Sequence, residues 1–166
     1  MNPDVLDALV RVSDYMNAAT SSTGELVCWE HGIDHTGRSS RSIVIDCSLH
    51  EATAEPRFLE RAKLRAIVVA ERLIKDPDHG AWIYHPGRLD SANNSNNVID
   101  SGECTDALAT LVLKLGDHAD WEHTETMVDA ITKNCQSYLV EAVVSKEVTN
   151  QRLWGAAGLA AAFKLI

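Results

Sequence analysis

A short internal repeat constrains the fold of this chain more than any other sequence feature. The tripeptide Val44-Ile45-Asp46 recurs 54 positions later as Val98-Ile99-Asp100, and a further step of 53 aligns Gly102 with Gly155. A fixed period of this size is typical of stacked supersecondary units that share one continuous core. A three-residue match can also arise by chance, but the order of the predicted helices follows the same period. We therefore predict an all-α chain of three repeated helical hairpins, arranged as an arc.

Helical periodicity sets the bounds of these hairpins. Each pair consists of an amphipathic outer helix and a shorter inner helix rich in small residues, and Asn2-Pro3 and Glu55-Pro56 are helix start signals. The predicted pairs are 3–18 with 42–54, 57–76 with 98–115, and 120–145 with 150–165. In the first helix, the apolar residues Val5, Leu9, Val12 and Met16 recur on a helical period and are predicted to face inward. The last helix is apolar almost all round, which predicts a buried helix.

Two long segments separate the predicted helices. Residues 20–41 are rich in Ser, Thr and Gly and are predicted as an ordered loop with a short strand at 25–29. Residues 80–97 form a second loop that contains aromatic residues and an asparagine-rich run. Loops of this length in a compact domain are more often functional than neutral connections.

Size and charge limit the class of protein. A chain of 166 residues with 45% hydrophobic residues can bury one sizeable core, so we expect a single domain spanning 1–166. A net charge of -9 without a basic cluster argues against binding to nucleic acid or to an anionic membrane surface. The chain lacks a leader-like start and a long apolar run, so we expect a cytoplasmic protein with no membrane partner. The four cysteines are too sparse for a disulfide scaffold and are expected to be reduced.

The inner-helix segments resemble a known superfamily. Val98-Ile99-Asp100-Ser101-Gly102-Glu103-Cys104 and the segment 150–160 look like hairpins of the alpha/alpha toroid enzymes, chiefly the six-hairpin glycosidases with related polysaccharide lyases and sugar epimerases. The resemblance covers about residues 42–166 and is architectural, without a family-defining catalytic signature. Complete toroids of that kind contain more hairpins than the three predicted here. The resemblance therefore implies apolar flanks that are covered either by a homodimer or by the rest of a longer toroid.

Acidic residues at the predicted inner-helix starts are the candidate catalytic groups. Asp46 would open one inner helix and Asp100 the next, and the axes of packed helices lie about 8 to 10 Å apart. That distance is compatible with the separation of roughly 6.5 to 9.5 Å between the two carboxyl groups of an inverting glycosidase. We predict Asp100 or Glu103 as the general acid and Asp46 as the base. The alternative is that these carboxylates only cap their helices.

Substrate-binding residues are predicted around the same opening. They are aromatic, cationic and amide side chains that can pack against sugar rings or hydrogen-bond to hydroxyl groups, namely Trp82, His85, Arg88, Asn97, Arg152 and Trp154, with His50 beside them. The alternative interpretation is that the asparagines form turns and the tryptophans belong to the core.

A second pattern is compatible with zinc. Cys28, His31, Cys47 and His50 are thiol and imidazole ligands whose spacings could converge on a tetrahedral ion, although the pattern is not that of a zinc finger. Ordinary histidines and a buried free thiol are the alternative. The chain has no phosphate-binding glycine loop and no dinucleotide fingerprint, so no cofactor is expected.

These observations leave three hypotheses for the function. The first is a carbohydrate-active enzyme that acts on an oligosaccharide or a smaller substrate as a glycoside hydrolase, lyase or epimerase. The second is a non-catalytic helical-repeat module for binding or oligomerisation, because a fold alone does not establish activity. The third is a zinc-binding protein.

Overall fold

The computed structural model describes residues 2–27, 36–75, 97–116, 120–145 and 149–166, and within them the regular structure is entirely helical. Helix α1 spans Pro3–Ala18, α2 Thr36–Thr53, α3 Pro56–Lys75 and α4 Asn97–Leu115. Helix α5 spans Thr124–Asn134 and continues through a π-helical turn, Cys135–Leu139, into α6 at Val140–Ser145; α7 spans Thr149–Ala162. The predicted all-α class is confirmed.

Helix α2 begins at Thr36, inside the segment predicted as a loop. The glycine- and serine-rich sequence of this segment is typical of loops, but the serine hydroxyls bond within the helix instead. Ser40 Oγ donates to Gly37 O at 2.5 Å, and Ser42 Oγ donates to Ser39 O at 2.7 Å. These local bonds satisfy polar groups that would otherwise be buried without partners. The prediction of a strand at 25–29 is wrong for its described part, residues 25–27, which contains no strand and in which Leu26 forms an isolated bridge with Thr20.

The order of contacts along α2 fixes its orientation relative to α3 and α4. Arg41 and Glu51 of α2 pair with Asp106 and Lys114 of α4 in the same order along both helices, so α2 and α4 run parallel. Helix α3 runs antiparallel to α2, because it follows after a short connection and its far end returns to the start of α2, where Arg72 donates to Thr36 Oγ1. Helices α2, α4 and α7 therefore form one inner row, in which α4 packs on both of the others.

Glycines allow α4 and α7 to approach each other at backbone distance. A Cβ atom added to Gly158 would lie 2.7 Å from Gly102 O and 2.9 Å from Gly102 Cα. A Cβ atom added to Gly102 would lie 2.6 Å from the carbonyl carbon of Trp154. Side chains at these positions would push the helices apart, so the glycines determine where α7 and its Trp154 lie.

The core lies between the inner row and helices α3, α5 and α6. Its largest fully buried side chains come from α2, α3, α4, α5 and the π-helical turn: Phe58, Ile43, Leu49, Leu73, Leu108, Leu111, Met127, Ile131, Leu139, Val69 and Val98. Burying side chains of this kind stabilises the fold by roughly 1.5–3 kcal/mol each. Within the ranges given above, no helix is both long and apolar enough to cross a membrane.

The two terminal helices differ from their predicted burial. In α1, Val5 and Val12 of the predicted inward stripe are exposed, and the one buried residue is Ser13. In α7, burial is confined to Gly155, Gly158 and Ala162, so the prediction of a helix buried all round is wrong. Helix α7 is the last helix of the inner row, and α1 packs on α2 outside that row, so both helices leave much of their surface exposed.

Candidate functional site

The amino-terminal ends of α2 and α4 lie side by side. A Cβ atom added to Gly37 would lie 2.7 Å from Asp100 Cα, so the first turn of α2 touches the first turn of α4 directly. Gly102 of α4 touches the backbone of Trp154 and Gly155, so the amino-terminal half of α7 lies beside the amino-terminal half of α4. Helices α2, α4 and α7 therefore present their amino-terminal halves together.

Arg41 joins all three inner helices on this surface. Its Nη1 donates to Asp106 Oδ2 at 2.5 Å, and its guanidinium carbon lies 5.4 Å from the centroid of the Trp154 ring. The side chains of Arg41 and Asp106 are 33% and 24% exposed, so both remain accessible. Stacking of a guanidinium on an indole is an attractive cation–π contact. We name Arg41, Asp106 and Trp154 the inner-face triad.

A buried polar cluster lies next to the triad on α4. Asp100 and Glu103 are both buried, and each has polar or charged neighbours. The neighbouring Cys104 thiol is affected by all of these charges. Burial raises its pKa well above the usual value, the charges of Asp100 and Glu103 raise that pKa further, and the charge of Arg65 lowers it. The two predicted acids and Arg65 therefore act on one buried thiol and belong to the same cluster.

Arg65 of α3 anchors this cluster to the rest of the fold. Its guanidinium donates to Ser39 Oγ of α2 and, at 3.0 Å, to Gly24 O. Gly24 has a φ of +88°, a backbone conformation that glycine adopts without strain, and a Cβ atom there would lie 2.7 Å from Leu64 O. Gly24 is thereby held against α3.

The structure does not bring Asp46 together with Asp100. Asp46 is the eleventh residue of α2 and not its first turn, and Gly37, the residue that touches Asp100, lies nine residues or about 13 Å back along the helix. Asp46 Oδ1 accepts a hydrogen bond of 2.5 Å from Ser13 Oγ of α1. The expected common opening for these two aspartates is therefore wrong, because α2 starts earlier than the repeat implied.

Burial dominates the electrostatics of Asp46. Desolvation raises the pKa of this carboxyl to about 6, and the hydrogen bond from Ser13 and the charge of Arg61 oppose that rise. Arg61 Nη1 also donates to Ser13 Oγ at 2.9 Å. Asp46, Ser13 and Arg61 form a docking contact between helices, away from the inner-face triad.

The remaining predicted substrate residues are scattered or outside the described ranges. His50 lies thirteen residues, about 20 Å, from Gly37 at the opposite end of α2, so it does not belong to the Asp100 end. Arg152 is exposed in the first turn of α7, and Asn97 begins α4 with a side chain outside the described part. Outside the described residues altogether are Trp82, His85 and Arg88.

The zinc hypothesis has only two of its four residues in the described ranges. Cys47 is buried in the core, where desolvation raises the pKa of its thiol to about 12, and His50 lies at the surface nearby. Cys28 and His31 lie outside those ranges. In the part of the chain that the structure describes, no three His, Cys, Asp or Glu side chains are grouped so that they could hold a metal ion.

Arg41 and Asp106 were not among the predicted site residues. A signal for Asp106 existed in the sequence, because Asp100, Glu103 and Asp106 recur at intervals of three and share one side of α4. Arg41 had no comparable signal, since it stands in a serine-rich segment predicted as a loop.

Comparison with known proteins adds no relative. No family model, no curated protein and no solved structure matches this chain. The described residues define an all-helical chain in which α2, α4 and α7 form an inner row that carries the partly exposed inner-face triad.

Proposed function

We propose that this chain is a carbohydrate-active α/α-hairpin domain of the toroid type, and that the inner-face triad binds the sugar. One observation carries the proposal: three successive inner helices bring an indole, a guanidinium and a carboxylate into contact on one accessible surface. An aromatic face packs against the apolar face of a sugar ring, while charged side chains hydrogen-bond to its hydroxyl groups. The triad supplies both kinds of contact.

The proposed reaction is hydrolysis of a glycosidic bond, with Asp106 in place of Asp46 as the second carboxylate. Glu103 and Asp106 stand three residues apart on α4, a spacing that separates Cβ atoms by about 5–6 Å. Retaining glycosidases hold their two carboxyl groups about 5–5.5 Å apart. We assign Asp106 as the nucleophile that bonds to the anomeric carbon while the glycosidic oxygen leaves with a proton from Glu103. Water, deprotonated by Glu103, then breaks the bond to Asp106 and releases the sugar. Asp100 supports the cluster beside them.

Binding is the first test of the proposal. A panel of neutral oligosaccharides is titrated against the chain by calorimetry, and the best ligand is then titrated against Trp154→Ala and Asp106→Asn. We expect each variant to weaken binding by about tenfold or more, because each removes one direct contact to the sugar. Far-ultraviolet circular dichroism checks that the helices are retained.

Matched controls come from α1. Tyr15→Ala removes an exposed aromatic ring, and Asp7→Asn removes the carboxylate of an exposed arginine pair with Arg11. Neither change should alter sugar affinity. The proposed function would be contradicted if the α1 and triad variants lost sugar affinity equally, or if no sugar in the panel showed saturable binding. Release of reducing sugar that Glu103→Gln abolishes would support the hydrolytic assignment.

A non-catalytic binding module is the second candidate. Large apolar side chains remain exposed on and after α6 and α7: Val140, Val144, Leu153, Phe163 and Ile166. Exposed apolar surface of this kind is typical of sites that bind another protein or another part of the same assembly. If this candidate is correct, the sugar panel gives no ligand.

A further inference from the structure

A cleft lies at the carboxyl-terminal ends of the inner helices α2 and α4, far from the triad near their amino-terminal ends. It has a volume of about 470 Å³. Its apolar walls are Leu59, Leu115 and Trp121, and its cationic groups are Lys63 and Lys114. A volume of this size falls within the range of small-molecule sites, which are mostly apolar with a few polar groups that orient the ligand.

The two lysines can exchange their present partners for a ligand. Lys63 Nζ pairs with Glu60 at 3.0 Å, and Lys114 Nζ pairs with Glu51 at 2.5 Å. The two glutamate side chains are 67% and 64% exposed, and exposed ion pairs of this kind contribute little to stability. A carboxylate inside the cleft would take the place of these glutamates without breaking a buried contact.

Trp121 defines the apolar part of the cleft. It packs against the hydrophobic core from one side, and its ring stands edge-on to the His123 ring with centroids 5.3 Å apart. A half-buried indole held in this way offers a rigid surface to a flat or aliphatic group. His50, whose Nδ1 is hydrogen-bonded to Glu55 O at 3.0 Å, forms part of the adjoining wall.

The charges around the cleft select a single negative charge. Asp120 is exposed and lines the same cleft as the two lysines. Its carboxylate disfavours a second anionic group on the ligand, because like charges at short range repel. The cleft therefore combines apolar walls and two cations with Asp120 in its lining and the two exposed glutamates that pair with the lysines.

We propose that this cleft is a binding site for a small monocarboxylate with an aromatic or aliphatic body. The carboxylate pairs with Lys63 and Lys114, and the apolar body packs between Trp121, Leu59 and Leu115. This site does not depend on the proposed sugar-binding face, which uses other residues at the other end of α2 and α4.

The test uses a charged probe and its uncharged analogue. Phenylbutyrate and phenylbutyramide are titrated against the full chain by calorimetry at low salt. We expect the carboxylate to bind about tenfold more tightly than the amide, and its affinity to fall as salt is added. Equal affinity of the two probes, or saturation by neither, would overturn the proposal.

Variants locate the binding. The double variant Lys63→Gln, Lys114→Gln keeps most of each side chain and removes both charges, and we expect it to bind the carboxylate no better than the amide. The matched control is Lys133→Gln, Lys164→Gln, which removes two lysines elsewhere and should bind the carboxylate as the unchanged chain does. Trp121→Phe keeps a ring against the core and should weaken both probes. Unchanged carboxylate affinity in the Lys63, Lys114 double variant would place the binding elsewhere and reject the proposed site.

Discussion

Helices α7 and α1 are held to the rest of the fold by opposite kinds of contact. Helix α7 meets α4 through glycines, with backbone against backbone around Gly102 and Gly158. Helix α1 meets α2 through polar side chains, where the Ser13 hydroxyl lies between Asp46 and Arg61. The first contact depends on shape and the second on hydrogen bonds and charge.

This difference bears on where a precise site can be built. Closely packed backbones leave little freedom to shift, so the α4–α7 contact fixes the position of Trp154 relative to α4, which carries Asp106. The α1 contact includes the Asp46 carboxyl, whose pKa burial raises to about 6, so the strength of this contact varies with pH. The triad accordingly depends on the rigid contact and not on the titratable one.

The largest expected effect tests the rigid contact. Gly102→Ala would place a Cβ atom 2.6 Å from the Trp154 carbonyl carbon and 2.9 Å from Gly155 N, so α7 must move away. Overpacking against backbone costs the upper end of the usual range, about 3 kcal/mol, and exceeds the gain in helix propensity of about 1 kcal/mol. Urea unfolding should show a net loss of free energy of unfolding of about 2 kcal/mol or more.

The control for this substitution is Gly116→Ala. A Cβ atom at Gly116 meets no atom within 4 Å, although its φ of +51° is a left-handed conformation. The cost should therefore be limited to backbone strain of about 1–2 kcal/mol. If Gly102→Ala costs no more than Gly116→Ala, the close approach of α4 and α7 does not limit stability.

The second prediction concerns pH and the α1 contact. Burial raises the folded-state pKa of Asp46 to about 6, above the ordinary value of 3.8, so folding favours its protonated form. The ionised form costs stability above pH 6, and this cost is relieved as the pH falls from about 6 to about 4. A difference of this size corresponds to roughly 2–3 kcal/mol. We expect Asp46→Asn to be more stable than the unchanged chain at pH 7.5, by up to about 2 kcal/mol.

Comparison across pH isolates Asp46 from other carboxyls. The Asp14 carboxyl, whose pKa is lowered chiefly by its hydrogen bond with Arg61, is present in both proteins, so its contribution largely cancels in the difference. Unfolding of the two proteins at pH 7.5, 6, 5 and 4 should show a difference that shrinks towards the acidic end. A constant difference would mean that the Asp46 carboxyl does not titrate in this window.

The sequence predicts most helices but not how they align. Periodicity placed α1, α3 and α4 within a residue or two of their bounds, because each carries a clear start signal or apolar stripe. The repeat aligned Asp46 with Asp100 at a spacing of 54, whereas paired side chains of α2 and α4 stand 63 to 65 positions apart. Side-chain contacts between the helices set this alignment, and a similar sequence in two helices does not reveal it. The triad is missed for the same reason.

The smallest expected effect tests the α1 contact without changing a charge. Ser13→Ala removes the donor to Asp46 and the acceptor for Arg61, while alanine favours the helix slightly. Loss of a buried hydrogen bond costs about 1 kcal/mol. Hydrogen exchange should therefore quicken by roughly fivefold in α1 and much less in α4 and α7, if α1 opens separately from the rigid contact. The matched control is Ser48→Ala, which removes only a bond to Val44 O within α2 and should leave α1 unchanged. Equally faster hydrogen exchange in all helices would show that α1 and α7 open together.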